Sequence, residues 1–77
     1  MFKSKKTIVL NNPRDVKEFT QIVSKYDFDI SIQRGHSKLD AKSPFGELLS
    51  LMVCKVKVIA SKNDPAFNAD IQRFAIA

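Results

Sequence analysis

Cysteine and histidine occur once each in the 77-residue chain, as Cys54 and His36, and tryptophan is absent. A single thiol forms no internal disulfide, and one cysteine with one histidine cannot make a Cys/His zinc set. Packing alone must hold the fold, which suits a reducing cytoplasm. No stretch approaches the roughly 20 apolar residues that span a bilayer. The opening MFKSKKTIVLNN has basic residues but only a short apolar run, Thr7 to Leu10, and does not read as a secretory signal. No metal, cofactor or membrane association is expected.

Hydrophobic residues make up 44% and charged residues 27%, the composition of an ordinary globular chain. At this length one domain is expected over residues 1–77, burying only about 60% of the surface its unfolded chain exposes. Thirteen basic residues against eight acidic give a net charge of +5. These charges are spread along the chain without a basic run, so no dedicated nucleic-acid site is expected, although acidic partners would be attracted.

Three prolines punctuate the chain as Asn12-Pro13, Ser43-Pro44 and Asp64-Pro65. Each pairs a favoured N-cap residue with proline at the first helical position, where its missing N–H costs nothing. Three helix starts are therefore predicted. Val16, Phe19, Thr20, Val23 and Tyr26 follow the first at helical spacing, with Asp15 favourably placed for the helix dipole. A short segment from Phe45 to Leu51 follows the second. Phe67, Ile71 and Phe74 form a stripe after the third, running to the end of the chain.

Between these lie alternating stretches. Phe28, Ile30 and Ile32 mark one strand, Leu39 and Ala41 another, and Val56, Val58 and Ala60 a third. Thr7 to Leu10 is the first strand, and Arg34-Gly35-His36-Ser37 is a turn in which Gly35 can take positive φ. The order is β-α-β-β-α-β-α. It implies an α+β, two-layer open-faced sandwich: a four-stranded antiparallel sheet with three helices on one face. Lys38, Lys42, Lys55 and Lys57 are expected on the solvated face of the sheet, with Asp29 and Asp40 balancing them in part. Cys54 reads as a small buried hydrophobe.

In this layout the segment SKYDFDISIQRGHSKLDAKSPFGELLSL, Ser24 to Leu51, resembles the HPr family, the phosphocarrier proteins of the bacterial sugar phosphotransferase system. The Ser-Lys-Tyr-Asp helix end, the glycine-bearing turn and the Ala-Lys-Ser stretch fall in register. KVIASKND and the terminal helix are similar to the family's last strand and helix. The resemblance implies that a histidine at the N-cap of the first helix should accept phosphate from enzyme I, with an arginine two positions later. Asn12 stands at the histidine position and Arg14 at the arginine, while Pro13 and Asp15 replace the alanine and proline of His-Ala-Arg-Pro. A phosphocarrier needs a nitrogen nucleophile, and the lone pair of a carboxamide nitrogen is delocalised. Phosphoryl relay at Asn12 is therefore not expected, and the chain is not expected to be an enzyme.

The resemblance also matches Ser43, by its Ala-Lys-Ser context, to a serine modified by a kinase/phosphorylase in carbon catabolite regulation. A phosphate there would sit at a helix N-terminus beside Lys42. Pro44 departs from the usual aliphatic residue, and the segment between Ser43 and Lys55 differs in length from the family's. Ser43 also reads simply as an N-cap, worth about 1 kcal/mol, and Ser50 as a helix-end residue.

The expected surface for anions and partners comprises Asn12, Arg14, Lys42, Phe45, Leu48 and Leu49, with Phe45, Leu48 and Leu49 as its apolar part. Arg14 either holds an anion or is simply solvated. The leading expectation is a cytoplasmic regulatory or interaction domain whose partners are proteins: phosphotransferase-system components, a serine kinase/phosphorylase or a catabolite regulator. One alternative is an active phosphocarrier using His36. The other is a binding module recruited to a different, acidic partner.

Overall fold

The computed structural model describes residues 4–76. Strand β1 spans Ser4–Val9, helix α1 Pro13–Val23, β2 Ile30–Arg34, β3 Ser37–Asp40, α2 Phe45–Leu48, β4 Lys55–Ala60 and α3 Pro65–Ile71. Short 3₁₀ turns, Leu49–Leu51 and Gln72–Phe74, extend α2 and α3. The strands form one antiparallel sheet in the order β1-β4-β2-β3. The expected α+β architecture is the one observed.

Strand alternation decides which face is covered. Ile8, Ile30, Ile32, Val56, Val58 and Ala60 are all buried and pack with the helices. From the helical layer come Val16, Phe19 and Val23 of α1, Leu48 of α2, and Phe67 and Ile71 of α3. Aromatic contacts tie the layer together: Phe67 meets Tyr26 at 5.2 Å and Phe28 at 5.7 Å, both edge to face, and Phe19 meets Phe74 at 6.2 Å. Such pairs add about 0.5–1.5 kcal/mol beyond the area they bury.

Two of the three proline-marked starts form as expected. The Asn12 side chain accepts from the Asp15 N–H at 2.9 Å, and Asp64 accepts from Ala66 and Phe67. The middle start differs. Pro44 itself is the N-cap of α2, with φ −55° and ψ 149°, and the first helical hydrogen bonds run to its carbonyl from Glu47 and Leu48. Ser43 therefore is not an N-cap. Its hydroxyl instead donates to the Asp40 carbonyl at 2.6 Å, closing the turn after β3.

Other boundaries also shift. The first strand starts three residues earlier than expected and ends at Val9, with buried Leu10 leading out of it. Helix α1 stops at Val23, because the next residues wind tighter: Lys25 N–H bonds the Ile22 carbonyl and Tyr26 N–H that of Val23. Tyr26 thus lies past the helix, and Phe28 precedes β2. The terminal stripe is only partly α-helical, since α3 gives way to the 3₁₀ turn and Ala75 bridges to Ile8. The hairpin turn is reduced to Gly35 and His36, with Gly35 at φ +58°. Lys42 leaves the sheet face altogether, its ammonium donating to the Tyr26 carbonyl at 2.6 Å.

A half-buried tether joins the turn after α1 to α3. Tyr26 Oη donates to Asp70 Oδ2 at 2.6 Å, and Lys25 Nζ lies 3.2 Å from the same oxygen. The Tyr26 hydrogen bond, then that of Lys25, holds the Asp70 carboxyl below its ordinary 3.8. The same bond to Asp70, with burial and the carboxylate's charge, pushes the Tyr26 hydroxyl from 10.0 up to about 12. The tether's contribution through Asp70 is complete above the ordinary carboxyl range and is lost as pH falls through the lowered folded value. Its contribution through Tyr26 is complete below pH 10.0 and is lost as pH rises towards about 12. Tyr26→Phe should cost about 1 kcal/mol at neutral pH, within the usual worth of one hydrogen bond. In urea unfolding at stepped pH, the gap between the two proteins should narrow as pH climbs from 10.0 to about 12.

Val53 has φ +60° and is 71% exposed. A β-branched residue in this left-handed region is strained by about 1–2 kcal/mol. The chain is held there because the Val53 N–H donates to the Leu10 carbonyl at 2.7 Å, pinning the approach to β4 against the exit from β1. Val53→Gly keeps that bond and removes the strain, so the denaturation midpoint should rise by the equivalent of about 0.5–1 kcal/mol.

Candidate functional site

Arg14, Lys17 and Gln21 recur along the exposed side of α1 at helical spacing and face Phe45, the first residue of α2. Pro13 and Glu18 complete the lining of this open groove, whose volume is about 540 Å³. Thr20 joins Lys17, Gln21 and Phe45 in an adjoining depression of about 410 Å³. Phe45 is 40% exposed, and with Val53 it is one of two large hydrophobic residues that the described structure leaves to solvent. An aromatic ring set against two cationic side chains and an amide is a surface that can take both apolar and anionic groups.

The expected site residues divide on inspection of their surroundings. Arg14 and Phe45 line the same groove, as expected. Leu48 does not belong to the surface: it is fully buried in the core, because α2 is a single turn and presents that position inward. Leu49 is half-buried and packs against the core. Lys42 lies outside the groove's lining, held at the Tyr26 carbonyl. Lys17 and Gln21 were not anticipated, yet their signal is in the sequence as polar residues three and seven positions after Arg14.

Asn12 is exposed and caps α1, and the cap leaves little of the helix N-terminus for an anion. Pro13 has no N–H, the Asp15 N–H goes to Asn12 Oδ1 at 2.9 Å, and the Val16 N–H goes to the Asn12 carbonyl at 3.2 Å. Asp15 adds a carboxylate that accepts from the Asn11 N–H at 3.1 Å. In the first turn the Arg14 N–H alone stands outside these bonds. The arrangement is built for capping, with the guanidinium of Arg14 as its available positive group.

His36 stands exposed at the hairpin tip with no hydrogen-bond or ion-pair partner among the described residues, and it does not line the groove. Ser43 is half-buried ahead of α2, a helix of four residues too short to supply a developed dipole. Cys54 is half-buried, with Arg34 Nη1 3.7 Å from its sulfur and also donating to the Ser50 carbonyl. No cluster of His, Cys, Asp or Glu among the described residues could hold a metal ion, and none of the described helices is long and apolar enough to cross a membrane.

No protein-family model and no curated protein sequence matches the chain. Solved structures do. HPr-C-His from Thermoanaerobacter tengcongensis superposes with a TM-score of 0.68 at 23% identity, covering 95% of this chain and 92% of that one. A phosphocarrier protein HPr from Bacillus anthracis str. Ames gives 0.65 at 19% identity, covering 94% and 100%. The chain therefore has the HPr fold over nearly its whole length.

Because Asn12 Oδ1 occupies the capping position, Asn12→Ala should destabilise the protein by about 1 kcal/mol, and Asn12→Asp should stay close to the parent. Thermal unfolding of the three proteins checks this. Equal loss in both variants would show that the side-chain oxygen is not what position 12 contributes.

Proposed function

We propose that this chain is an HPr-like interaction domain related to the sugar phosphotransferase system, one that binds protein partners through the α1–α2 groove and does not itself carry phosphate. The observation that carries this reading is the state of Asn12. Its amide nitrogen has no basic lone pair for a phosphoramidate, and its oxygen is held as the helix cap. The groove beside it keeps Arg14, Lys17 and exposed Phe45, the chemistry of a docking surface.

Ser43 enters this reading as a modification site that would regulate docking. The sequence context Ala41-Lys42-Ser43 supports it, as does its place two residues before Phe45. A phosphate on its oxygen would remove the hydroxyl's hydrogen bond to the Asp40 carbonyl and so loosen the turn that positions α2. The partners in this reading are phosphotransferase-system proteins, with a serine kinase/phosphorylase or a catabolite regulator as the regulatory branch.

Incubation with enzyme I and radiolabelled phosphoenolpyruvate should leave the protein unlabelled, while an NMR titration with enzyme I should shift the amides of Arg14, Lys17, Gln21 and Phe45. Arg14→Glu should weaken that binding about tenfold, the equivalent of about 1.4 kcal/mol. Phosphate appearing on His36, the single histidine of the chain, would replace this reading with that of an active carrier.

A further inference from the structure

Charge is balanced along the helical stretches of the chain and unbalanced along its strands. Each helical stretch balances itself: Arg14, Lys17 and Lys25 against Asp15, Glu18 and Asp27; Lys42 against Glu47; Lys62 and Arg73 against Asp64 and Asp70. The two ion pairs among the described residues, Lys25–Asp70 and Arg73–Glu18, both lie within the helical layer. The excess of the net +5 therefore falls on the strands and the residues leading into them.

Register fixes where those charges point: Lys6 and Arg34 turn to the helical side, donating to Gln72 Oε1 and the Ser50 carbonyl, and the other strand lysines turn outward. Thr7 pairs with Lys57, Lys57 with Gln33 and Gln33 with Lys38, which gives one row across all four strands. Lys55, two residues before Lys57 on the same strand, pairs with Val9, and Lys5 pairs with Ile59. All these positions have the parity opposite to the buried Val56, Val58 and Ile32, so they share the outward face. Lys5, Lys38, Lys55 and Lys57 are exposed, and none of their ammonium groups has a hydrogen bond or ion pair with a described residue. Asp40, the acidic residue on that face, is engaged by the Lys42 N–H at 2.8 Å. Asp29 lies at its margin, just before β2, beside Ser31, Lys38 and Ile59.

We infer that this outward sheet face is a second docking surface, separate from the α1–α2 groove, and that its partner is an acidic segment of another protein bound in extended form. Four outward ammoniums against Asp40 on the face and Asp29 at its margin leave a positive excess, which supplies the attraction. Half-buried Val9 and Ile59 and the Gln33 amide supply apolar and hydrogen-bonding contact between the lysines. Lys55 and Lys57 repeat along β4 every second residue, about 6.6 Å apart, which is the spacing of same-side carboxylates on an extended acidic chain. Single-stranded nucleic acid fits less well. Its bases need aromatic platforms, and the strand positions of this face carry none.

The test uses the full chain in an NMR titration at about 0.15 M salt. The probe is a poly-glutamate peptide of about ten residues, run in parallel with an oligothymidylate of similar length. The peptide should saturate and shift the amides of Lys38, Lys55, Lys57 and Gln33 while leaving those of Arg14 and Lys17 unmoved. The exposed double variant Lys55→Glu/Lys57→Glu should weaken peptide binding about tenfold or more with an unchanged amide spectrum on the helical layer. Shifts confined to the α1–α2 groove, no saturable shifts, or oligothymidylate binding as tightly as the peptide would each overturn the proposal. None of these results depends on whether the groove binds phosphotransferase proteins.

Discussion

Strand β4 is the last of the four strands in the chain but occupies the interior of the sheet, hydrogen-bonded to β1 on one side and β2 on the other. Without residues 55–60, β1 has no partner strand, and the β2–β3 hairpin is an isolated two-stranded ribbon of the kind that is marginal in water. Everything else depends on this insertion. Val56, Val58 and Ala60 complete the apolar face on which the helices rest, and the helices have no other surface to cover. Pairings this distant in sequence carry a loop-closure cost before they contribute stability. The strained Val53 sits at the entry to β4, where a bond to Leu10 fixes the strand's approach. Strain at this point is tolerated because the pairing it permits extends over two full ladders.

The same insertion sorts the charges. A strand buried on one side and wet on the other must alternate, and in β4 the wet positions are Lys55, Lys57 and Ile59. With the central strand carrying two ammoniums, its neighbours could have neutralised them across the ladder. They do not: Thr7, Gln33 and Val9 face those lysines. The helical layer shows the opposite arrangement, with acid and base matched stretch by stretch and linked by ion pairs. Exposed pairs of that kind are worth only about 0–1 kcal/mol each. On the outward side of the sheet the ammoniums of Lys5, Lys38, Lys55 and Lys57 have no ion-pair partner among the described residues.

Much of this was legible in the residues. Period-2 alternation located β2 and β4, and Asn12-Pro13 and Asp64-Pro65 marked two helix starts to the residue, because cap chemistry is local. The failures share a cause. Ser43-Pro44 has the same signature, but ψ of Pro44 stays extended and the serine hydroxyl is captured by Asp40, a bond set by the preceding hairpin. Leu48 reads as part of an apolar surface patch with Phe45 and Leu49, yet in a single helical turn the inward position is decided by tertiary packing. Lys42 alternates with Ala41 as a strand residue would, yet β3 ends at Asp40 and its ammonium swings to the Tyr26 carbonyl. Of the candidate site, Arg14 and Phe45 could be named from sequence. Their meeting across two helices could not, since no local pattern encodes the angle between α1 and α2.

Position 12 shows how one side chain is divided between stability and chemistry. The N-cap of α1 must present an acceptor to the Asp15 N–H, and a short, rigid carboxamide reaches it from the residue's extended conformation, φ −155° and ψ 171°. A phosphoacceptor at the same place would need a nitrogen lone pair directed at solvent, free of the helix. Asparagine satisfies the first demand and cannot meet the second. The neighbouring residues reinforce the same choice: Pro13 removes a donor, and Asp15 brings a negative charge close to where an anion would have to sit, bonding the Asn11 N–H instead. The helix start is thus stabilised from within. Beside it the groove presents the guanidinium of Arg14, the ammonium of Lys17 and the open ring of Phe45.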